Sequence, residues 1–332
     1  MSPAVTVVIP AYNMGQFLGQ TLESLAAQTF TDWEAVLVDD GSTDDTWQVF
    51  ESFSELPIRA LRQENKGVAA ARNKAIESSD SEFVAFLDAD DVLLPDSLEA
   101  RVSALRAHPD AGMVYGRSLI VDGHGKHIGA RGKRIREDIL RIPPEQAVPR
   151  LLERNTITTS TVMARRVCLE SAGGFNEDMK ASGEDWHLFL RICAQHPLLY
   201  LPKFLAKYRT HPSNTTSISG GSARDLEDRL VALESFFAPE SPGWAFRQHR
   251  SRALAAQYAR SAQSAVARRQ RRVGIGYFAR AVKHRPSRML SDDSAFLIYM
   301  LAKSLLPAKA LVTARRARYW AANAALGRVR QA

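Results

Sequence analysis

Short apolar runs without charge alternate with helical patterns through the first 115 residues of the chain. The runs at 5–9, 35–38 and 83–87 are rich in valine and other apolar residues, which is typical of strands buried on both faces of a parallel sheet. Between them, segments such as 16–28 place apolar residues at helical spacing. This alternation predicts an α/β fold with a doubly wound, mostly parallel sheet, whose ligand lies past the carboxyl ends of the strands.

Charge is distributed unevenly along the chain of 332 residues, whose net charge is +8. Residues 1–219 carry 23 Lys and Arg against 29 Asp and Glu, whereas residues 220–332 carry 21 against 7. From residue 223 onward alanine, leucine and arginine dominate, as in helices. The asymmetry predicts two regions: an α/β domain over 1–222 and a basic, all-helical C-terminal region over 223–332.

Three features bear on the compartment. Cys168 and Cys193 have neither metal-ligand spacing nor a disulfide pattern, and the N-terminus shows no secretory signal, so we expect a cytoplasmic protein. The apolar run 295–302 is too short to span a bilayer. Together with the basic helices it predicts peripheral association with the inner membrane face, or packing against the α/β domain as the alternative. Nucleic-acid binding is not expected, because no recognition motif accompanies the basic tail.

Two carboxylates end the predicted strand at 35–38. Asp39 and Asp40 precede a Gly-Ser-Thr turn and the start of a helix. A carboxylate in this place can accept hydrogen bonds from a nucleoside base or ribose. The alternative is that the same residues only form a turn and cap the helix.

A second acidic cluster follows the strand at 83–87. In the sequence Asp-Ala-Asp-Asp at 88–91, Asp88 and Asp90 can face one cavity. Because like charges this close raise each other's proton affinity, a shared cation is the simplest remedy. Oxygen ligands at a strand end, completed by substrate phosphates, suit Mg²⁺ or Mn²⁺. A solvated surface turn is the alternative.

Basic residues surround the start of the helix after Gly67. Lys66 and Arg72 can reach a diphosphate or the edge of a pyrimidine, assisted by the helix N-terminus. The alternative is an ordinary helix start, which has the same appearance.

Glu184, Asp185 and Trp186 begin an amphipathic helix further along the chain. A sugar transfer with inversion needs one base to take the proton of the acceptor hydroxyl, and a carboxylate here suits that task. Trp186 can stack on a sugar ring, with core packing as the alternative. His211 is a candidate to complete the metal shell, with a core or surface histidine as the alternative.

These motifs resemble those of the family 2 glycosyltransferases, which are inverting enzymes of the GT-A fold, many of them in bacterial cell-surface polysaccharide synthesis. The resemblance covers about residues 3–215 and leaves the basic tail unmatched. The matching stretches are 7–13, 38–42, 67–73, 87–91 and 183–186.

The resemblance implies a role for most site residues. The nucleotide, usually a uridine diphosphate, is expected to contact Pro10, Tyr12, Asp40, Arg72 and Asp88. Asp90 is expected to ligate the metal with help from Asp88 and His211, while Asp185 acts as the base. The residues themselves, and not the resemblance, add Lys66 to the nucleotide contacts and Glu184 and Trp186 to the acceptor contacts. The implied partners are a nucleotide-sugar donor and a saccharide or glycolipid acceptor, with Mn²⁺ or Mg²⁺ as cofactor.

Two other classes compete with this interpretation. A nicotinamide dehydrogenase also begins with a strand, a helix and a strand, but residues 10–15 lack the glycines that allow close approach of a pyrophosphate. A non-catalytic nucleotide-sugar-binding or scaffold protein of a membrane assembly remains the alternative. The presence of a candidate base at Asp185 favours the enzyme.

Overall fold

The computed structural model describes residues 2–179, 182–214 and 222–286. The chain divides into two compact units, the first formed by residues 1–220 and 224–253 and the second by residues 221–223 and 254–332. The first unit therefore contains the sheet together with the first helix after the predicted boundary at residue 222.

Strands and helices alternate in the order that the sequence predicts. The strands are β1 (Val5–Ala11), β2 (Trp33–Asp39), β3 (Ile58–Arg62), β4 (Phe83–Phe86), β5 (Val92–Leu93), β6 (Met113–Asp122), β7 (His127–Arg131), β8 (Leu140–Ile142), β9 (Met163–Arg165) and β10 (Leu198–Thr210). The helices are α1 (Gly15–Ala26), α2 (Thr46–Glu51), α3 (Val68–Glu77), α4 (Ser97–Ala107), α5 (Pro144–Glu153), α6 (Arg166–Ser171), α7 (Glu184–Cys193), α8 (Ala223–Phe236), α9 (Arg250–Ala267) and α10 (Arg271–His284). Short 3-10 helices lie at Thr159–Thr161 and Pro242–His249.

All ten strands join one sheet in the described part of the chain. The order is β3-β2-β1-β4-β9-β6-β10-β5, with β7 on β6 and β8 on β10. The strands β1 to β4 pair in parallel, as do β6 and β10. The short strand β9 lies antiparallel between β4 and β6, and β5, β7 and β8 are also antiparallel to their neighbours. The predicted α/β architecture is confirmed, and the sheet is mixed because β9 runs against its neighbours.

The buried runs of the sequence form the centre of the sheet. Strand β1 is buried on both faces: Val5, Val7 and Ile9 point into a cluster with Leu18 and Leu22 of α1, while Val8 is fully buried on the other face. This explains why β1 lacks polar alternation, since helices cover both faces of a parallel sheet. Packing of this core fixes the position of each strand end.

Several strands end at one edge of the sheet, which we call the carboxyl edge. Strands β1, β2 and β4 are parallel: Ala11 is in register with Asp39, and β4 ends at Phe86 opposite Val8, so that the residues after Phe86 lead to the same edge. The antiparallel strand β9 begins at that edge, which brings the 3-10 helix at 159–161 beside the end of β4. Strand β10 ends there with Thr210 because β6 and β10 are parallel to each other and β6 is antiparallel to β9. Polar residues from five distant segments therefore meet at this edge.

The described part of the second unit is helical. Ala262 and Val266 of α9 form a small apolar cluster against Tyr277 and Phe278 of α10. None of the helices in the described ranges is long and apolar enough to cross a membrane. The apolar run 295–302 lies outside the described residues.

Two isoleucines of the sheet test how much the buried core contributes to the free energy of unfolding. Ile9 is fully buried in β1, whereas the side chain of Ile128 in β7 is 56% exposed. We expect Ile9→Ala to lower the free energy of unfolding by about 2–5 kcal/mol. The matched control Ile128→Ala should cost less than about 1 kcal/mol, because it leaves no cavity. Equal losses in urea titrations would contradict the described core.

Candidate active site at the carboxyl edge

Asp40 organises the segment that leads into α3. Its Oδ1 accepts hydrogen bonds from Gln63 Nε2 (2.8 Å) and from the backbone N of Lys66 (2.9 Å), and its Oδ2 accepts one from the backbone N of Gly67 (2.8 Å). Gly67 has a φ of 95°, which favours glycine. The carboxylate is only 3% exposed. In this structure Asp40 therefore holds the loop around Lys66, whose side chain is exposed.

The other residues expected around the nucleoside base lie at the end of β1. Pro10 is half-buried, and the side chain of Tyr12 is 45% exposed. Asp39 next to Asp40 is fully buried, and it accepts hydrogen bonds from Ser42 and Arg62. An exposed aromatic ring beside a fixed turn is a suitable surface for a planar base.

Arg72 joins the sheet to helix α7. Its Nη2 lies 2.7 Å from Asp88 Oδ1, and its Nη1 lies 2.6 Å from Glu184 Oε1. The guanidinium is almost fully buried and lies 5.2 Å from the centre of the Phe175 ring. Three elements far apart in the sequence are tied together by this one group, because α3 supplies the arginine while the end of β4 and the start of α7 supply the carboxylates.

Arg72 is expected on the diphosphate or the base, and in this structure each of its terminal nitrogens donates to a carboxylate inside the protein. Its contact with the nucleotide stays a prediction. The charges of Asp88 and Glu184 outweigh burial and raise the pKa of Arg72. Burial in turn raises the pKa of Asp88 and of Glu184, and Arg72 offsets only part of that rise.

The first two residues of α7 point in different directions. Glu184 turns to Arg72, whereas the Oδ2 of Asp185 accepts a hydrogen bond from Thr159 Oγ1 (2.7 Å). Gly183 precedes them with a φ of 87°, a left-handed conformation that starts the helix abruptly. Asp185 is half-buried and Glu184 is buried, so that Asp185 is the more accessible carboxylate.

Asp90 meets His211 and Asn214 where β10 ends. Its Oδ2 lies 2.9 Å from His211 Nε2 and accepts a hydrogen bond from Asn214 Nδ2 at 2.9 Å. The imidazole also packs on Phe17, with ring centres 4.5 Å apart. The carboxylate oxygen suits Mg²⁺ or Mn²⁺, and the imidazole nitrogen that converges with it suits a transition metal such as Mn²⁺ better than Mg²⁺.

The residues present fit a metal ion that is completed by substrate. Among the described residues, no group of three or more His, Cys, Asp or Glu side chains is placed to hold a metal. An ion here would take two ligands from Asp90 and His211 and the others from phosphates and water, as Mg²⁺ usually does. Asp88 has one oxygen on Arg72, so its expected contact with the metal stays a prediction.

Asp91 connects the acidic turn to β10, a role that sequence reasoning missed. It is fully buried, and it accepts hydrogen bonds from Ser160 Oγ (2.5 Å) and the backbone N of Arg209 (2.9 Å). The Nε of Arg209 donates to the carbonyl of Asp90 (2.8 Å). Burial, with the charges of Asp90 and Asp88, raises the pKa of Asp91 well above its usual range. These hydrogen bonds of Arg209, which we call the clasp of Asp91 with Arg209, hold the acidic turn against the end of β10 and thereby keep Asp90 close to His211.

Trp186 has a different place from the one expected. Its side chain is 3% exposed, and its Nε1 donates a hydrogen bond to the carbonyl of Leu151 in α5 (2.7 Å). The assignment of Trp186 to acceptor binding is therefore corrected: the indole packs α7 against α5. An amphipathic helix start gives no signal in the sequence that distinguishes these two roles.

Comparison with known proteins gives the context of this geometry. The family model described as "Glycosyl transferase family 2" matches residues 6–168. An uncharacterised glycosyltransferase of Nostoc sp. is 30% identical over 244 residues, which are 69% of this chain and 71% of that protein. The Escherichia coli chondroitin synthase is 28% identical over 221 residues, 64% of this chain but only 30% of that longer protein.

A third relative is named for the reaction that it catalyses. It is the Escherichia coli UDP-Glc:alpha-D-GlcNAc-diphosphoundecaprenol beta-1,3-glucosyltransferase WfgD, 27% identical over 238 residues that cover 70% of this chain and 86% of that protein.

Two solved structures share the fold. Staphylococcus aureus TarS 1–349 in complex with UDP has a TM-score of 0.63 and 21% identity, covering 90% of this chain and 87% of that one. The mannosyltransferase PcManGT of Pyrobaculum calidifontis, in complex with GDP-Man and Mn²⁺, has a TM-score of 0.55 and 20% identity, covering 92% and 88%. The expected GT-A fold is confirmed by these likenesses.

The buried bridge through Arg72 can be tested by its stability. We expect Arg72→Met to lower the free energy of unfolding by about 3–5 kcal/mol at pH 7, because it leaves the buried Glu184 and the half-buried Asp88 without their cation. Lowering the pH towards about 4 should reduce this loss, since carboxyls with a raised pKa become neutral first. Urea titrations at both pH values measure the effect.

The matched control is Arg141→Met, which breaks an exposed ion pair with Asp110. This variant should lose no more than about 1 kcal/mol. If both variants lost the same free energy of unfolding, the buried bridge would contribute no more to stability than an exposed ion pair, and the prediction would be wrong.

Proposed function

We propose a sugar transfer for this chain, which belongs to glycosyltransferase family 2. The donor is a UDP-sugar, and the acceptor is a hydroxyl of a saccharide or glycolipid. The transfer proceeds with inversion and requires Mg²⁺ or Mn²⁺. The observation that carries the proposal is the meeting of Asp90 and His211 with the accessible carboxylate of Asp185 at one edge of the sheet. Synthesis of a cell-surface polysaccharide is the process that we propose for it.

Support for the uridine nucleotide comes from proteins that share the family or the fold. WfgD is named for a UDP-Glc donor and TarS is bound to UDP, whereas PcManGT is bound to GDP-Man. We favour UDP for this chain because WfgD and TarS both point to a uridine nucleotide. The exposed Tyr12 ring beside the Asp40 turn can stack on either base. A guanosine donor is the second candidate.

Asp90 and His211 are the residues that would hold the ion. When bound, a divalent cation neutralises the charge that develops on the diphosphate as it leaves the sugar. The clasp of Asp91 with Arg209 keeps the two ligands close. A site that is already assembled loses little conformational entropy when the nucleotide binds.

Asp185 is the base in this proposal. The oxygen of the acceptor hydroxyl bonds to the anomeric carbon, the bond from that carbon to the diphosphate oxygen breaks, and Asp185 takes the hydroxyl proton. The hydrogen bond from Thr159 fixes the carboxylate and leaves it half-buried, within reach of an acceptor. Glu184 acts differently: it holds Arg72 and thereby the start of α7.

Peripheral association of residues 223–332 with the inner face of a membrane stays a prediction. The basic composition of that region supports it.

The nucleotide and the metal can be tested by calorimetry. We expect UDP to bind more tightly than GDP, and we expect a chelator to weaken the binding of UDP strongly, because the diphosphate is held mainly through the ion. Release of nucleoside diphosphate from a panel of donors then identifies the sugar. Unchanged UDP affinity after chelation would remove the metal from the proposal, and tighter GDP binding would remove the uridine.

Two isosteric variants separate the metal ligand from the base. Asp90→Asn should weaken both UDP binding and turnover, since it removes the charged ligand. Asp185→Asn should leave UDP affinity nearly intact and lower kcat by about 10²–10⁴, because proton transfer belongs to the transition state. Single-turnover assays and UDP titrations measure the two effects.

Asp110→Asn is the control for these variants, because Asp110 is exposed and pairs with Arg141 away from the carboxyl edge. Asp110→Asn should change neither the affinity for UDP nor kcat. An Asp185→Asn protein with full activity would show that another group takes the proton.

A further inference from the structure

One segment of the first unit carries only positive charge. Residues 126–136, which we call the cationic segment, contain no Asp or Glu. The part of the chain that surrounds them, residues 1–219, is acidic, with 29 Asp and Glu against 23 Lys and Arg. Five of those 23 cations lie within the eleven residues of the segment: Lys126, Arg131, Lys133, Arg134 and Arg136.

These five side chains face solvent and form no ion pair with a described carboxylate. All of them are exposed, and no carboxylate of the described residues lies within 4.0 Å of their charged nitrogens. Arg131 lies over the ring of Tyr208, 4.3 Å from its centre. Protein surfaces usually mix charges of both signs, so an unpaired run of one sign attracts an anionic partner.

The backbone beneath the charges is held in place. Strand β7 pairs with β6, and the Tyr200 hydroxyl donates a hydrogen bond to the carbonyl of Lys133. Gly132 has a φ of 93°, and a Cβ added there would lie 2.7 Å from Arg117 Cγ and 2.9 Å from the Tyr200 oxygen. The segment is therefore bound closely to the sheet while its cations point outward.

The segment begins beside the candidate active site. Asp122 is in register with Thr210, so the turn at 123–126 lies next to the end of β10. The carbonyl of Gly123 accepts a hydrogen bond from Arg209 Nη1 (3.4 Å), and a Cβ added at Gly123 would be 3.8 Å from His211 Cβ. From this turn β7 leads back along the sheet for five residues, a length of about 16 Å.

We propose that the cationic segment binds the negatively charged groups of a saccharide chain and guides that chain, as the acceptor, to Asp185. This inference rests on the proposed function and adds the charge of the acceptor to it. The cations extend away from Asp90 and His211, which suits a long ligand better than the compact diphosphate of a donor. A single strongly exposed apolar side chain in the segment, Ile128, is too little to favour insertion into a bilayer.

The test compares charge-neutral variants of the full-length protein. The first is Lys133→Gln with Arg134→Gln and Arg136→Gln. The control is Arg269→Gln with Arg271→Gln and Arg272→Gln, which removes the same charge from an exposed basic stretch of the second unit. The probes are a fluorescent oligogalacturonate, a neutral dextran of equal length and phosphatidylglycerol vesicles.

We expect the unmodified protein to bind oligogalacturonate and not dextran, more weakly as salt is added. The segment variant should lose at least about tenfold in affinity, as expected for three partly screened charge contacts, while the control variant changes by less than about twofold. Affinity for UDP should stay the same in both variants, which shows that the donor site is intact.

Three results would overturn the proposal. The first is equal binding of oligogalacturonate and dextran, and the second is equal losses in both variants. The third is a segment variant that keeps oligogalacturonate binding but loses vesicle binding, which would assign the cations to a membrane surface. If the protein binds oligogalacturonate through the segment but does not bind UDP, the proposed function fails while the binding surface stands.

Discussion

The candidate site depends on one buried guanidinium. Arg72 lies between Asp88 and Glu184, which follow it in the chain by 16 and 112 residues, and it joins the sheet to helix α7. Moving a charged group from water into the protein interior costs several kcal/mol, so a buried guanidinium is stable only where its carboxylate partners are held in position. Asp88 and Glu184 together compensate the buried charge of Arg72. The bridge sets the place from which Asp185, the next residue of α7, faces the carboxyl edge.

The mixed sheet brings the other half of the site to the same edge. Because β9 runs antiparallel between β4 and β6, the polar residues that precede it lie next to the acidic turn. Thr159 holds Asp185, and Ser160 holds Asp91. Asp91 and Arg209 then fix the end of β10, where His211 meets Asp90. These hydrogen bonds, joined through residues that are adjacent in the chain, link the candidate base to the candidate metal ligands.

Much of the fold was predictable because local patterns determine it. Uncharged runs identified β1, β2 and β4, and the Asp-Ala-Asp-Asp sequence identified the acidic turn after β4. The partners of Arg72 were not predictable, since a sequence shows that an arginine begins a helix but not which carboxylates meet it across the fold. The same reason explains Trp186, where burial against Leu151 depends on the packing of α5. The three-residue strand β9 was missed because it is too short for a hydrophobic pattern.

In the proposed function, Asp90 and His211 hold a divalent ion, which in turn holds the diphosphate. Anomalous diffraction from crystals grown with UDP and Mn²⁺ locates this ion. We expect one Mn²⁺ peak, about 2.0–2.2 Å from a carboxylate oxygen of Asp90 and the Nε2 of His211, with the other ligands from the diphosphate and water. A diphosphate bound at the carboxyl edge without Mn²⁺, or Mn²⁺ bound away from Asp90 and His211, would show that these residues do not form the metal site.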